Sequence, residues 1–298
     1  MILMARKLRL DSRTALYCHE LLHKKYAPNS FPNLAPDAPN EVFEEFKRLG
    51  FVHEREVLAL IKEANAGFHK IEDSENKNLL EDQTFEALFN DQITLISGAY
   101  IGAIVEEKVA QKFGLPIKFS NRVSRPDLLV RVSAPDSETP IWAPVDIKSH
   151  KATEASKSNF IFTSSIHYIL PNQDVKSEGR LVYDDLYQLA HYTRHLQFLN
   201  LAGDDLWVGI IGREQEEFVW SRIGDVVMGK GASQKDFLSD YDEKFQKAAD
   251  VISRSIEENE NPSQKSGVIP VNSTGKMGCT VCSYKQTCLS EMEAYDNG

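Results

Sequence analysis

The sequence contains no apolar run that approaches the roughly 20 residues needed to cross a bilayer. Its opening stretch, MILMARKLRL, mixes basic with apolar side chains and has neither a long apolar segment nor a small-residue cleavage site, so it makes a poor signal peptide. We therefore expect a cytoplasmic protein with no membrane partner. The apolar fraction of 42% and the charged fraction of 26% are those of an ordinary soluble globular protein.

Basic residues are outnumbered by acidic ones. The chain has 34 Lys and Arg residues against 44 Asp and Glu residues, a formal net charge of −10. This balance excludes a uniformly basic surface but leaves nucleic-acid binding open, because such binding depends on the local field. Basic residues gather at 5–13 and 22–25 and at Arg122, Arg125 and Arg131, and a phosphate-binding channel is expected near these positions.

Cysteine is scarce, and its placement is therefore informative. Cys279, Cys282 and Cys288 are spaced as C-x2-C-x5-C near the C-terminus, whereas Cys18 stands alone near the N-terminus. Reduced thiols are expected in the cytoplasm, which favours metal ligation over disulfides. Four thiolates satisfy either a tetrahedral zinc ion or an iron–sulfur cubane. Either centre would join the two ends of the chain, and the alternative is four unrelated cysteines packed in apolar surroundings.

Mixed strand and helix patterns predict an α/β fold in which helices flank a central sheet. Helices are predicted at 41–64, 183–199 and 236–257, and strands at 127–132, 141–148, 206–211 and 217–223. Residues 85–113 indicate a helix, a short strand and another helix. Residues 66–82 are predicted as a loop, 150–180 as a polar excursion without assigned structure, and the chain after Pro262 as irregular.

Two carboxylates and a lysine converge in the predicted hairpin around the turn-rich segment APDSETP. If its strands pair about residue 137, position 127 faces about position 147, which puts Asp127 beside Asp146 within one residue of register. Strand alternation puts Asp146 and Lys148 on the same face, on either side of Ile147. Two adjacent acids resist joint ionisation unless a cation neutralises them, and a divalent metal with oxygen ligands suits that role.

Two predicted helices add polar side chains. Gln188 and Tyr192 are spaced i and i+4, so they share one face of their helix, and His195 lies one turn further along. His53 and Glu54 place an imidazole and a carboxylate on the helix at 41–64. Taken alone, a helical histidine is more often structural than a ligand.

In order and approximate spacing, this set resembles the RecB-type branch of the PD-(D/E)xK nuclease superfamily. The residues that carry the resemblance are His53, Asp127 in RPD, Asp146 and Lys148 in DIK, and Gln188 and Tyr192 in QLAHY. The four cysteines resemble the iron–sulfur version of this branch, which includes CRISPR-associated exonucleases, AddB nucleases and eukaryotic exonuclease V. In that version one cysteine precedes the nuclease core and three follow it.

The resemblance implies a restriction-endonuclease-like nuclease core at 41–260, with a central mixed sheet flanked by helices. It implies flanking segments at 1–40 and 261–298, whose cysteines (Cys18, then Cys279, Cys282 and Cys288) would hold a [4Fe–4S] cluster. The implied activity is metal-dependent hydrolysis of DNA, exonucleolytic and directed at single strands or DNA ends. A helicase or another DNA-processing protein is an expected partner.

The resemblance also implies roles for the site residues. Mg²⁺ or Mn²⁺ would be held by His53, Asp127, Asp146 and the carbonyl of Ile147. Lys148 would orient the attacking water or stabilise developing charge. Gln188 and Tyr192 would position Lys148 or the nucleic-acid backbone.

Some assignments have alternatives. Serine at position 124 replaces a glycine usual in the aspartate motif, and Gly50 is one residue closer to His53 than in the usual GxxxH. Glu54, Glu106 or Glu107 could therefore supply the first metal ligand. The cysteines could bind zinc. A non-catalytic DNA-binding or assembly protein that keeps the fold and the cluster is the alternative function.

Overall fold

The computed structural model describes residues 8–31, 34, 37, 41–134, 137–229, 234–261, 282 and 284–296, and only the backbone at 43 and 291–296. The chain divides into two compact units. The first comprises Met1–Ser12 and Gly50–Tyr241, and the second comprises Arg13–Leu49 and Asp242–Gly298. Among the described helices, none combines the length and the apolarity that spanning a membrane requires.

The described elements include both helices and strands, with the strands concentrated in the middle of the chain. The helices are α1 (His19–Tyr26), α2 (Glu41–Ala64), α3 (Lys77–Leu88), α4 (Ala103–Lys112), α5 (Tyr183–Phe198), α6 (Phe237–Glu260) and α7 (Lys285–Asp296). The strands are β1 (Phe68–Lys70), β2 (Leu95–Ser97), β3 (Leu128–Arg131), β4 (Trp142–Ile147), β5 (Thr153–Glu154), β6 (Phe160–Ser165), β7 (Lys176–Glu178), β8 (Arg180–Leu181), β9 (Trp207–Ile211), β10 (Glu217–Arg222), β11 (Val227–Met228) and β12 (Lys235–Asp236).

An eight-stranded mixed sheet forms the centre of the first unit, in the order β1-β2-β3-β4-β9-β10-β6-β7. The pairs β1–β2 and β4–β9 are parallel, and the other neighbours are antiparallel. Every residue of β3 and β4 is buried, as expected of central strands covered on both faces. The expected α/β architecture with a mixed central sheet is therefore confirmed.

Apolar side chains cover both faces of this sheet. Leu129 of β3 packs in a cluster with residues of α3, α4 and α5 such as Leu88, Val105 and Leu196. Its neighbours Leu128 and Val130 pack in a second cluster, which includes residues of α2 and β10 listed here: Val57, Ile61, Phe218 and Trp220. This alternation follows from the two-residue period of a strand. It fixes which residues at the strand ends share a face.

The predicted helices and strands around the hairpin agree with these bounds to within one or two residues, and α2 has the predicted limits. Two expectations were wrong, and one region with no predicted structure contains strands. Residues 66–82 contain β1 and the start of α3, which Asn76 caps through its side chain. Residues 150–180, which had no predicted structure, contain β5, β6, β7 and the start of β8, and both β6 and β7 belong to the central sheet. The chain beyond Pro262 is not wholly irregular, because α7 occupies Lys285–Asp296.

The strands that the sequence did not reveal have a common physical cause. β1 has three residues, and its Phe68 pairs with Leu95 of β2, 27 positions further along the chain. β6 pairs with β10, which is also remote in sequence. Both strands are stabilised by pairing with distant segments, which local propensity does not reveal.

Candidate active site

The hairpin of β3 and β4 brings two aspartates together. Leu128 pairs with Val145, so the next pair outward joins Asp127 to Asp146. The backbone N–H of Ile147 donates to Oδ2 of Asp127 at 2.7 Å, which anchors that carboxylate against the end of β4. The predicted register is therefore confirmed.

Lys148 completes what we call the acid–lysine site, defined by Asp127, Asp146 and Lys148. Its Nζ lies 3.0 Å from Oδ2 of Asp146 and donates to Oε1 of Gln188 at 3.2 Å. It also lies 3.9 Å from Oδ1 of Asp185. Burial would lower the pKa of Lys148, but the charges of Asp146, Asp127 and Asp185 outweigh that effect and raise it. The lysine is therefore an ammonium ion at neutral pH.

The negative charge of the two adjacent aspartates is only partly compensated. Asp146 is 1% exposed, and Asp127 is half-buried. Burial, followed by the charge of Asp146, raises the pKa of Asp127 to about 8, although Lys148 opposes the shift. One ammonium group does not neutralise two adjacent carboxylates, so the site favours a proton or an additional cation.

Several buried polar atoms at this end of the sheet have no hydrogen-bond partner. They are Oδ2 of Asp146, Oδ2 of Asp185 and Nε2 of His53. The close approach of Lys148 to Asp146 is thus an ion pair without hydrogen-bond alignment. Buried polar atoms are rarely left unsatisfied in folded proteins, and those that are unsatisfied often mark a place where a ligand or ion binds.

The structure separates the four candidates for the first metal ligand. Burial and then the charge of Asp146 raise the pKa of Glu54, and Glu54 in turn helps to raise that of Asp127. Glu54 is therefore within electrostatic reach of both aspartates. His53 Nδ1 lies 3.3 Å from the side-chain amide nitrogen of Gln215, and its Nε2 is the unsatisfied atom.

Glu106 and Glu107 lie in other surroundings. Oε2 of Glu106 accepts a hydrogen bond from Arg9, and Oε1 accepts from Ser120 and from Nε2 of His195 at 2.9 Å. Glu107 is half-buried, and its Oε1 accepts from Gln111 at 3.4 Å. Of the four candidates, Glu54 is the one that interacts electrostatically with the acid–lysine site.

The donor chemistry of the site fits a divalent cation that prefers oxygen ligands. Asp127 and Asp146 supply carboxylates, and Glu54 is coupled to both of them. Within the described ranges, however, no three or more His, Cys, Asp or Glu side chains are already grouped so that they could hold a metal ion. A bound cation would need small movements of these side chains to complete its ligand set.

Helix α5 supports the site through the face predicted from Gln188 and Tyr192. Gln188 contacts Lys148, as expected. The Tyr192 hydroxyl instead lies 3.2 Å from two acceptors, Oγ of Ser12 and the carbonyl oxygen of Arg125. Since Arg125 belongs to the RPD segment, Tyr192 restrains the backbone that presents Asp127.

His195 extends this support in the interior. Its Nε2 donates to Glu106, and the Ser124 hydroxyl donates to its Nδ1 at 2.8 Å. Burial lowers the pKa of His195 despite the adjacent Glu106, so the imidazole is neutral. We refer to Ser124, His195, Glu106, Ser120 and Arg9 as the Glu106 network.

Three of the four cysteines lie in the described part of the second unit. Cys18 caps α1, and its Sγ accepts from the N–H of Leu21 at 3.3 Å. Cys288 lies on α7, with its Sγ 3.7 Å from Nζ of Lys24. Cys18, Cys282 and Cys288 form no disulfide. Cys279 lies outside the described residues, so the proposed ligand set stays a prediction.

Sequence reasoning missed two residues at the site. His150 lies two positions beyond Lys148, and its Nε2 is 3.4 Å from Oδ2 of Asp185. Asp185 is buried in the first turn of α5, three positions before Gln188. The i, i+3 spacing to Gln188 was the available signal, because it puts Asp185 on the same face of the helix.

A separate cavity of about 760 Å³ lies elsewhere in the first unit. Its lining includes His167, Tyr168, Glu216 and Glu217 but none of the acid–lysine residues. The acid–lysine site at the end of β3 and β4 is therefore distinct from this cavity.

Comparison with known proteins adds no assignment. No protein-family model matches the chain, and neither a curated protein nor a solved structure resembles it significantly. Function must therefore be argued from the geometry of the site and from the motifs.

Proposed function

We propose that this protein is a metal-dependent nuclease that hydrolyses phosphodiester bonds in DNA. The observation that carries the proposal is the placement of Asp127 opposite Asp146, with Lys148 between Asp146 and Gln188. This combination of two buried acids and an ordered ammonium group suits a reaction in which negative charge develops on a phosphate. The order of these residues along the chain supports the same assignment.

Each residue has a distinct part in the proposed reaction. Asp127, Asp146 and the carbonyl of Ile147 would hold Mg²⁺ or Mn²⁺, together with Glu54 or His53. The bound cation would lower the pKa of a water molecule and neutralise charge on the scissile phosphate. Lys148 would donate to the attacking water or to a phosphate oxygen, and Gln188 would hold its ammonium group in place.

The substrate follows from the resemblance to RecB-type nucleases. We infer that the protein acts on single-stranded DNA or DNA ends and works with a helicase or another DNA-processing protein. The net charge of −10 means that binding would depend on a local basic surface.

A nuclease assay tests the proposal. Purified protein is incubated with labelled single- and double-stranded DNA in Mn²⁺, Mg²⁺ or EDTA. We expect metal-dependent degradation that Asp146→Ala or Lys148→Ala reduces by several orders of magnitude, because each removes charge stabilisation worth several kcal/mol. The matched controls are Asp174→Ala and Lys157→Ala, which replace exposed residues of the same types.

Two results would decide against the enzyme. Metal-loaded wild type that leaves both DNA forms intact contradicts hydrolysis. If that protein still binds DNA, and Asp146→Ala binds equally well, the non-catalytic DNA-binding or assembly function replaces the nuclease. Activity that persists at the wild-type rate in Asp146→Ala would mean that a contaminant or another site is responsible.

We also propose that Cys18, Cys279, Cys282 and Cys288 hold a [4Fe–4S] cluster with a structural role. The support is the C-x2-C-x5-C spacing, and the location of three of these cysteines in one compact unit without a disulfide. Anaerobically purified protein should be brown with broad visible absorption, whereas a zinc protein would be colourless. Cys279→Ser should lose the colour and unfold at a lower temperature. Normal folding with a selective loss of DNA binding would contradict the structural role.

A further inference from the structure

The loops that follow the parallel strands β4 and β9 are exposed and lie next to each other. The N–H of Lys148 donates to the carbonyl of Ile211 at 2.9 Å, and the N–H of Arg213 donates to the carbonyl of His150 at 3.0 Å. His150, Lys151 and Arg213 are all exposed, so these loops present basic side chains next to Lys148. Ligands of α/β proteins usually bind at the carboxyl ends of parallel strands.

The contacts of the His150 ring favour its charged form. Nδ1 lies 3.0 Å from the carbonyl oxygen of Lys151, and Nε2 lies 3.4 Å from Oδ2 of Asp185. Both neighbours can only accept, so the two contacts are favourable at the same time only when both ring nitrogens carry hydrogen. The close approach of Oδ2 of Asp185 raises the pKa of His150, although burial and the charge of Lys148 oppose the shift.

Asp185 lies between the exposed ring of His150 and the ammonium group of Lys148. Its side chain is 6% exposed, with one carboxylate oxygen facing His150 and the other 3.9 Å from Nζ of Lys148. A buried carboxylate is unfavourable unless cations compensate it. Lys148 is already paired with Asp146, so His150 is the second cation on Asp185. The ring itself is 49% exposed and accessible to a ligand.

We propose that His150 is a phosphate-binding residue, which Asp185 holds as an imidazolium ion so that a nucleic-acid strand is positioned beside Asp127 and Asp146. This proposal rests on the proposed nuclease function. On binding, Nδ1–H exchanges the exposed Lys151 carbonyl for a phosphate oxygen, while Nε2–H stays against Asp185. Lys151 and Arg213 are exposed basic residues of the same two loops, and Glu214 is an exposed acid beside Arg213. His150 is a positioning residue, since it acts on the strand and not on the reacting atoms.

Binding of a fluorescently labelled single-stranded oligonucleotide tests this role. Anisotropy is measured at several salt concentrations in Ca²⁺ and in Mn²⁺. His150→Ala should raise Kd roughly tenfold, since a charge-assisted hydrogen bond is lost. The slope of log Kobs against log salt should become shallower by about 0.7, the value for one phosphate contact on a single strand. His69→Ala is the matched control, because His69 is an exposed histidine on β1, three strands away in the sheet.

Two further variants separate charge from structure. His150→Lys keeps a cation and should recover most of the wild-type affinity and salt slope. Wild-type affinity should weaken as pH rises through the raised pKa of His150, whereas that of His150→Lys should not. Asp185→Asn should move the wild-type transition to lower pH, because the ring loses the partner that stabilises its charge.

The outcomes distinguish this inference from the proposed nuclease function. If the wild type hydrolyses no DNA but His150→Ala still weakens binding and flattens the salt slope, the phosphate contact stands and the nuclease proposal fails. If Asp146→Ala abolishes hydrolysis but His150→Ala matches the wild type in Kd, KM and salt slope, the inference is wrong and the nuclease proposal stands. Absence of binding by the wild type in either metal, or no rescue by His150→Lys, also overturns the inference.

Discussion

Two polar clusters in the first unit have similar composition but opposite properties. The acid–lysine site combines two carboxylates with one lysine, and the Glu106 network combines one carboxylate with Arg9 and His195. In the Glu106 network both carboxylate oxygens accept hydrogen bonds, and both ring nitrogens of His195 are paired. In the acid–lysine site Oδ2 of Asp146 is buried without a hydrogen-bond partner.

The difference also appears in protonation. Burial and the charge of Asp146 raise the pKa of Asp127, whereas the pKa of Glu106 is lowered. Burial alone would also raise the pKa of Glu106, but hydrogen bonds from His195 and Ser120 and the charge of Arg9 outweigh this effect. A buried carboxylate with all its partners therefore stabilises the fold. One that lacks a partner is destabilising, and a ligand can supply that partner.

The largest expected effect on stability comes from removing the carboxylate of the Glu106 network. Glu106→Ala should lower the free energy of unfolding by about 3–5 kcal/mol, because Arg9, Ser120 and His195 lose a shared buried partner. Glu107→Ala on the same helix is the matched control. It should change stability by less than about 1 kcal/mol, since the side chain of Glu107 is partly exposed to solvent. Urea denaturation measures both.

Equal, small losses in the two variants would contradict the contrast between a satisfied network and a ligand site. So would a metal-dependent nuclease activity that Glu106→Gln abolishes without loss of stability. That result would return Glu106 to the set of candidate metal ligands.

A smaller effect should follow from pH, with opposite signs in the two clusters. The pKa of Asp127 rises from 3.8 to about 8 on folding, so folded protein binds more protons than unfolded protein between these values. The stability of the wild type relative to Asp127→Asn should therefore fall as pH rises from about 4 to about 8. The change should exceed about 1.4 kcal/mol, the free energy of one pKa unit.

Glu106 should behave in the reverse way. Since its folded pKa is lowered, the advantage of the wild type over Glu106→Gln should be complete above about pH 5. It should be lost as pH falls through the lowered value. Saturating Mg²⁺ should flatten the Asp127 profile, because a cation stabilises the ionised pair, and leave the Glu106 profile unchanged. Profiles of the same sign would show that the two environments do not differ as described.

The sequence predicted the acid–lysine site to the extent that local signals determine it. The turn between two apolar strands sets the register of Asp127 against Asp146, and helical spacing puts Gln188 beside Lys148. The choice between His53 and Glu54 could not be predicted, because it depends on how α2 rotates against the sheet. Asp185 and His150 lie 35 positions apart, and no periodic pattern links a single acid to a single histidine across that distance.

The assignment of Glu106 shows a related limit. Glu106 and Glu107 are adjacent and chemically identical, and in the sequence they were equal alternatives as ligands. The fold buries the first and leaves the second half-exposed, because the apolar face of α4 packs on the sheet. The orientation of α4 therefore decides that Glu106, and not Glu107, has the structural role. Helix orientation is a tertiary property that the sequence does not show directly.

The smallest predicted effect lies where the two clusters meet, at the RPD segment. Tyr192→Phe removes the hydroxyl that holds the Arg125 carbonyl, while Ser124 stays anchored to His195. Stability should fall by about 1 kcal/mol, the value of a typical hydrogen bond. If the segment exists to present Asp127, activity should fall further than stability predicts, with a change in kcat and little change in KM. Equal melting temperature and kcat in Tyr192→Phe and the wild type would show that the Glu106 network alone fixes the position of Asp127.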